Sequence, residues 1–331
     1  MPAQKAGILY ECIVLYLFRT SITMKITKQE QKHIDTIWSY YKTAKRDLPW
    51  RNTKDVYRIL VSELMLQQTQ VSRVLIKYEE FLNSFPDFNT LARASNTDVL
   101  KVWKGLGYNR RAFFLKRIAT AFVELEEKGI TIQNPKSLTY QMLLTLPGIG
   151  QSTAGAVMAF AHNIGIPFIE TNIRTIYLAH FFAKKEKVTD MEILQKIEKV
   201  LLYIPKQKYR DWYYALYDYG SMLKSTQRKN IQTVHKQSAS FKKQSTFIGS
   251  QRQLRAYILH MITDSMPQGI AHDILIEKLE RYIGDEHSPF LHLENPKQNI
   301  IHLLDTLKKE QHIISSTSSR TKRQKQVWYI S

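Results

Sequence analysis

The 331-residue chain has one cysteine, Cys12. A single thiol excludes an internal disulfide framework, a cysteine-rich zinc site and a four-thiolate iron–sulfur cluster. A bilayer-length apolar run is also missing. Gly7 to Phe18, behind Lys5, spans 12 residues, against the roughly 20 that a spanning helix needs. A secretory signal would need a small-residue cleavage site, and Phe18, Arg19, Thr20 and Ser21 do not supply one; the alternative is that Met24 is the true start. The remainder reads as cytoplasmic and nucleoid-associated, without a membrane partner. Acidic residues are scarce as well, with 29 Asp and Glu set against 48 Lys and Arg, a formal net charge of +19. That balance favours a polyanionic partner, nucleic acid before an anionic membrane surface.

The length suggests about two domains, and 44% hydrophobic residues suffice for their cores. After an extension over residues 1–27, a helical pattern runs from Thr27 to about Leu223, interrupted at Pro49, Pro86, Gly105 to Gly107, Pro135, Pro147 to Gly150, and Pro167. Strand-like alternation is absent there. The first domain therefore covers residues 28–225 and is all-α. No acid occurs between Asp218 and Asp264, while Lys224, Arg228, Lys229, Lys236, Lys242, Lys243, Arg252 and Arg255 do, so residues 226–250 read as a basic linker, solvated or lying on phosphates. Residues 251–331 show helical stretches near Arg252 to Ser265, Ala271 to Tyr282 and Pro296 to Glu310. Two apolar runs follow, His312 to Ser315 and Gln326 to Ile330, around a basic stretch holding Arg320, Lys322, Arg323 and Lys325. Three helices and a hairpin with a basic tip are the order of a winged-helix-like (α+β) DNA-binding module; a plain helical domain with a solvated loop is the alternative.

Three segments carry candidate chemistry. A helix starting after Thr53, its expected cap, and running through Gln67 or beyond places Glu63 on the stripe of Val56, Ile59 and Leu60, so its carboxylate faces the core. Such a carboxylate is either structurally paired or has a raised pKa that suits it to acid catalysis. The turn Leu146 to Gly150 (LPGIG) leads into a small-residue helix from Gln151. There Gly148 and Gly150 permit close approach of a ligand, and the opening amides form an anion site of helix-hairpin-helix type, unless this is an ordinary helix turn. Third, Glu170 precedes a helix that Thr171 or Asn172 would cap, where the helix terminus favours the ionised form. Two carboxylates in different protonation states are what glycosidic bond cleavage uses, although Glu170 as a plain helix-terminal charge fits the same pattern.

LPWR (Leu48 to Arg51), SELMLQQTQV (Ser62 to Val71), WKGLGY (Trp103 to Tyr108), LPGIGQSTAGA (Leu146 to Ala156) and ETNIRT (Glu170 to Thr175) occur in the order seen in MutY-type adenine DNA glycosylases. Over residues 28–225 the chain resembles that branch of the helix-hairpin-helix superfamily, to which endonuclease III also belongs. The resemblance implies an all-α helix-hairpin-helix DNA glycosylase fold and hydrolysis of the N-glycosidic bond of adenine mispaired with guanine or 8-oxoguanine. By position, Glu63 matches the acid that protonates the leaving base, Glu170 the aspartate that stabilises the sugar cation, and Asn172 a supporting asparagine. Gln68 and Tyr108 match residues that wedge into the stack when a nucleotide is flipped out of double-stranded DNA. Arg51, Gln67, Leu146, Gly148, Gly150, Gln151, Ser152 and Thr153 complete the expected DNA-binding set. Ser152 stands where the endonuclease III branch has its Schiff-base lysine, which implies base removal without an efficient lyase step. Lys224 stands where the family's first cluster cysteine would be. No cofactor or metal is therefore expected, although the hairpin carbonyls would suit a monovalent cation. Glu170 is one methylene longer than the family aspartate, and the C-terminal module does not resemble a Nudix-like domain. Within this reading the protein is expected to be a monomer, and the alternatives are a glycosylase for another base or a non-catalytic DNA-binding regulator.

Overall fold

A computed structural model describes residues 25–226, 236–240, 246–318 and 325–331. The N-terminal apolar run, Arg228, Lys229, Lys242 and Lys243 of the expected linker, and the hairpin cations Arg320, Lys322 and Arg323 lie outside the described residues.

The region of residues 28–226 is helical, as its periodicity requires. It contains α1 (Lys28–Ala44), α2 (Val56–Leu66), α3 (Val71–Ser84), α4 (Phe88–Arg93), α5 (Asn96–Trp103), α6 (Arg110–Glu127), α7 (Tyr140–Thr145), α8 (Gln151–His162), α9 (Thr171–Phe181), α10 (Asp190–Leu201) and α11 (Tyr209–Thr226). Local chemistry sets several starts. Thr27 with Glu30 and Thr189 with Glu192 form reciprocal capping boxes on α1 and α10, and the side chains of Asp87, Ser95 and Thr139 cap α4, α5 and α7. The expected cap of α2 is corrected: Asp55, not Thr53, accepts from the third helical amide, Arg58 N, at 2.8 Å. Thr53 Oγ1 instead accepts from the Asp55 amide. The helix stops at Leu66 because Gln68 takes a left-handed φ of 58°.

The chain divides into two compact units that interleave along the sequence. One comprises the described residues of Met1–Glu63 and Leu125–Lys242. Its centre is α11, which packs against α1, α8 and α9 and buries Trp212, Tyr213 and Leu216. The small residues of α8 allow a close approach of the chain behind it. A Cβ at Gly155 would sit 2.4 Å from Phe168 Cδ1, and the Phe168 ring is itself stacked on Tyr213 at 4.5 Å between centroids. Gly155→Ala is accordingly expected to destabilise the fold by about 1–3 kcal/mol through overpacking. Urea unfolding measures this, and Gly155→Ala combined with Phe168→Leu should recover part of the loss.

Part of the expected linker belongs to this unit. Val188 and Ser238 form a parallel bridge, with Val188 N donating to Gln237 O at 2.7 Å and Ala239 N to Val188 O at 2.8 Å. Arg174 Nη1 donates to Ser238 Oγ at 3.0 Å, and Ser240 Oγ to Asp190 at 3.0 Å. Residues 237–240 are thus pinned by backbone pairing and polar contacts, which charge composition alone does not reveal.

The second unit comprises the described residues of Leu64–Glu124 and Lys243–Ser331. To α3–α6 it adds α12 (Gln251–Asp264), β1 (Ile270–Ala271), α13 (His272–Gly284), α14 (Pro296–Lys309), β2 (Ile313–Ser318) and β3 (Lys325–Ile330). Strand order is β1-β3-β2, antiparallel throughout, with Ile270 opposite Trp328 and Ile313 opposite Ile330. Helix, strand, helix, helix, strand, strand is the winged-helix element order. Leu254, Ile258, Leu275, Leu279, Ile300, Leu304 and Trp328 fill its core.

Candidate active site

Glu63 lies on α2 with Val56, Ile59 and Leu60 buried on the same stripe. Burial pushes its carboxyl pKa up to about 8, and the neighbouring Glu170 carboxylate adds to the rise. The Tyr217 hydroxyl of α11 donates to Glu63 Oε2 over a long 3.5 Å, and Arg51 opposes the shift. Glu63 is consequently protonated at neutral pH, the state a general acid needs.

Glu170 is itself the N-cap of α9, the role expected of Thr171 or Asn172. Its Oε2 accepts from Asn172 N at 2.7 Å, and Asn172 Nδ2 lies 3.4 Å from Oε1. The longer side chain is therefore accommodated by folding back onto its own helix. The expectation that the helix terminus keeps the Glu170 pKa low is corrected. Desolvation raises it, against the opposing pull of Lys224 and of the Asn172, Thr171 and Ile173 amides. The two carboxyls still differ, since these donors and a cation act on Glu170, while Glu63 has the anion beside it.

One face of α11 serves both groups. Tyr217, Gly220 and Lys224 recur at helical spacing: Tyr217 meets Glu63, and Lys224 acts electrostatically on Glu170. Gly220 abuts Asn172 so closely that an added Cβ would lie 2.6 Å from its Cβ. The resemblance predicted only the position of Lys224; its partner was invisible because 54 residues separate it from Glu170. Lys224→Met is expected to raise the Glu170 pKa further, so activity should fall several-fold more at pH 6 than at pH 8. A pH–rate profile under single-turnover conditions measures this.

Arg51, expected on a DNA-facing surface, is buried, with only 4% of its side chain accessible. Its guanidinium pairs in bidentate fashion with Asp218, at 2.8 Å (Nη1 to Oδ2) and 2.7 Å (Nη2 to Oδ1), and lies 4.6 Å from the Tyr214 ring centroid. Arg46 also pairs with Asp218, and despite burial the two guanidinium groups hold the Asp218 carboxyl below its ordinary range. Sequence reasoning missed Asp218, whose partner lies 167 residues away.

The hairpin is formed as expected. Gly148 adopts φ 80°, Ile149 N donates to Leu146 O at 3.2 Å, and Gly150 caps α8 with nothing within 4 Å of where a Cβ would be. Gly150 and Gln151 are exposed, Ser152 is half-buried, and Leu146 and Thr153 point inward. An exposed glycine turn at the N-terminus of a 12-residue helix suits contact with a phosphate.

Gln67, Gln68 and Tyr108 belong to the second unit. Gln67 and Gln68 are exposed, and Gln68 and Tyr108 both have left-handed φ, 58° and 48°. Beneath them lies Arg111, which no motif marked. It donates to the carbonyls of Leu64, Met65 and Gln67 at 2.6, 2.8 and 2.7 Å, to Gly107 O at 2.8 Å and to Thr69 Oγ1 at 3.1 Å. One buried cation thus closes the C-terminal end of α2 and braces both loops against each other.

Residues 61–201 match the model of the HhH-GPD superfamily of base excision DNA repair proteins. They form an HhH-GPD domain. The chain is 39% identical over 148 residues to an adenine DNA glycosylase of Mycobacterium tuberculosis, covering 44% of this chain and 47% of that protein. It is 32% identical over 162 residues to an adenine DNA glycosylase of Buchnera aphidicola, covering 49% and 44%. The chain thus spans about half the length of these curated relatives. A thymine/uracil-DNA glycosylase of Methanothermobacter thermautotrophicus is 27% identical over 198 residues, 59% of this chain and 86% of that protein. The solved structure of a thermostable thymine-DNA glycosylase superposes with a TM-score of 0.51 at 26% identity, covering 61% of this chain and 90% of that one.

An iron–sulfur cluster of the kind the family resemblance implies does not fit this chain, because one cysteine cannot supply four thiolates. Among the described residues no group of three His, Cys, Asp or Glu side chains could hold a metal ion, and no helix is long and apolar enough to cross a membrane.

Proposed function

We propose that the chain is a monofunctional DNA glycosylase of base excision repair that removes adenine mispaired with guanine or 8-oxoguanine from duplex DNA. The observation that carries this reading is the pair Glu63 and Glu170, one carboxyl protonated at neutral pH and the other met by three backbone amides and by Lys224, which oppose the rise that desolvation imposes on its pKa. With the nucleotide turned out of the stack, Glu63 gives its proton to the departing base as the bond to C1′ breaks. Glu170 faces the oxocarbenium-like sugar, and water adds to C1′ with loss of a proton. Asn172 holds the Glu170 carboxylate, and the Leu146 to Thr153 hairpin clamps a phosphate. Ser152 offers no amine at that position for a Schiff base, so strand cleavage is not part of the step. The protein acts as a monomer in the cytoplasm, at the nucleoid, and the hairpin carbonyls are the place for a monovalent cation.

The test is a duplex with one adenine opposite 8-oxoguanine, incubated with the protein and then treated with alkali. Strand breakage at the adenine, dependent on the alkali, is expected; intact strands would defeat the reading. The similarity to a thymine/uracil-DNA glycosylase over 86% of that protein's length favours a second reading, excision of a mispaired pyrimidine. Duplexes with thymine or uracil opposite guanine in the same assay decide between the two.

A further inference from the structure

Among the described residues one hydrogen-bond donor meets the Glu63 side chain, the Tyr217 hydroxyl of α11, aimed at Oε2. Aromatic contacts hold that phenol in place. The Phe160 ring of α8 meets Tyr217 edge-to-face, with centroids 5.4 Å apart, and stacks on Tyr214 one turn earlier along α11 at 4.2 Å. Glu63 and Tyr217 each keep some accessible surface, so the acid can be reached from outside. Desolvation and the two carboxyls Glu63 and Glu170 hold the Tyr217 pKa well above its ordinary value. The phenol therefore keeps its proton and donates at every working pH.

A protonated carboxyl has one oxygen that accepts and one that carries the proton. Because the phenol donates to Oε2, the transferable proton of Glu63 belongs on Oε1. The 3.5 Å separation suits a neutral acceptor and leaves the bond room to shorten. Once the proton leaves, Glu63 becomes an anion beside the Glu170 carboxyl, while Arg51 is already committed to Asp218. A hydroxyl-to-carboxylate bond is shorter and roughly twice as strong as a neutral one. The contact thus gains strength as the proton departs, which is the condition for lowering a barrier. We propose that Tyr217 is a positioning residue for the acid: its hydroxyl holds Oε2, presents the Oε1 proton to the departing base, and stabilises the Glu63 carboxylate as it forms. The proposal rests on the glycosylase reading above and adds the group that orients its acid.

Tyr217→Phe tests it, since the ring and its contact with Phe160 stay while the hydroxyl goes. Under single-turnover conditions at pH 7, base release should fall about tenfold. Glu63 is faced by Glu170, Arg51, Tyr214 and Tyr217; the hydroxyl of the last and Arg51 favour its anion, and Glu170 opposes it. Losing the hydroxyl therefore raises the Glu63 pKa above about 8. The alkaline limb of the rate profile should move up by about one pH unit, which narrows the deficit to about twofold at pH 9. A purely structural loss would lower the rate by one factor at every pH. Tyr219→Phe removes another hydroxyl of α11, one that lies 3.3 Å from His180 Nε2, and should leave rate and limb unchanged. Infrared difference spectra of the free protein, each chain against its Glu63→Gln counterpart, read the same bond without excision. The protonated-carboxyl band of Glu63 should fade as pH passes 8, and in Tyr217→Phe it should move to higher wavenumber and fade later. An unchanged band and midpoint overturns the proposal whether or not a base is released, and so does a Tyr217→Phe deficit equal at pH 7 and pH 9. A shifted band without base release in the alkali assay supports the Tyr217–Glu63 bond and counts against the glycosylase reading alone.

Discussion

Glu63→Gln is expected to lower base release by about 10²–10⁴-fold while making the fold more stable at neutral pH. The first effect follows from loss of the transferable proton, since the amide keeps the shape and the neutrality of the protonated carboxyl. The second follows from linkage. The folded-state pKa of about 8 lies above the ordinary 4.5, so between those values the unfolded chain ionises Glu63 and the folded chain does not. That difference penalises folding by nothing below about pH 4.5, increasingly up to about pH 8, and by a constant amount above it. At pH 7 the penalty is about 3 kcal/mol, which glutamine removes. Thermal melts at pH 4 and pH 7 measure it: the variant should melt several degrees higher at pH 7 and match wild type at pH 4. For wild type, the fraction of Glu63 able to donate falls as pH passes 8, so the alkaline limb of the single-turnover rate should lie there.

Asp218→Ala carries the largest expected loss of stability, about 3–5 kcal/mol by urea unfolding, because it strands Arg51 and deprives Arg46 of its partner. Asp218 has no accessible side-chain surface and Arg51 almost none, so water cannot replace the lost carboxylate. A catalytic effect accompanies the structural one. Arg51 already draws the Glu63 pKa down, and without Asp218 its charge acts on Glu63 uncompensated. The alkaline limb of the rate profile should therefore move to lower pH in whatever fraction remains folded. Asp218→Ala that unfolds at the wild-type urea midpoint would contradict the burial argument.

The helical periodicity, the inward face carrying Glu63, the LPGIG turn and the element order of the C-terminal module were all legible, because each is a property of neighbouring residues. Helix and strand bounds of that module differ from the pattern by a residue or two, except at the tip side of β2, which extends to Ser318. The two-residue β1 was not legible, since a period cannot be read from Ile270 and Ala271; only their pairing with Trp328 and Val327 makes them a strand. Ordered motifs pointed to Glu63, Glu170 and Tyr108. They were silent on Asp218, Tyr217 and Arg111, whose roles are set by partners far away in sequence or by bare carbonyls, which have no residue identity to recognise. Arg51 shows the converse: its motif was visible, but an arginine facing DNA and an arginine facing a buried aspartate look alike until the partner is in place.

The interleaved order of the two units has a consequence for synthesis. The first unit depends on α11 packing against α1, and these helices are separated by about half of the chain. As the polypeptide leaves the ribosome from its N-terminus, α1 and the first turns of α2 must wait, apolar faces open, until Thr226 has emerged. The segment from Leu64 to Glu124 is made during that interval. A nascent chain arrested before Tyr209 is therefore a client for chaperones and proteases rather than a shorter folded protein.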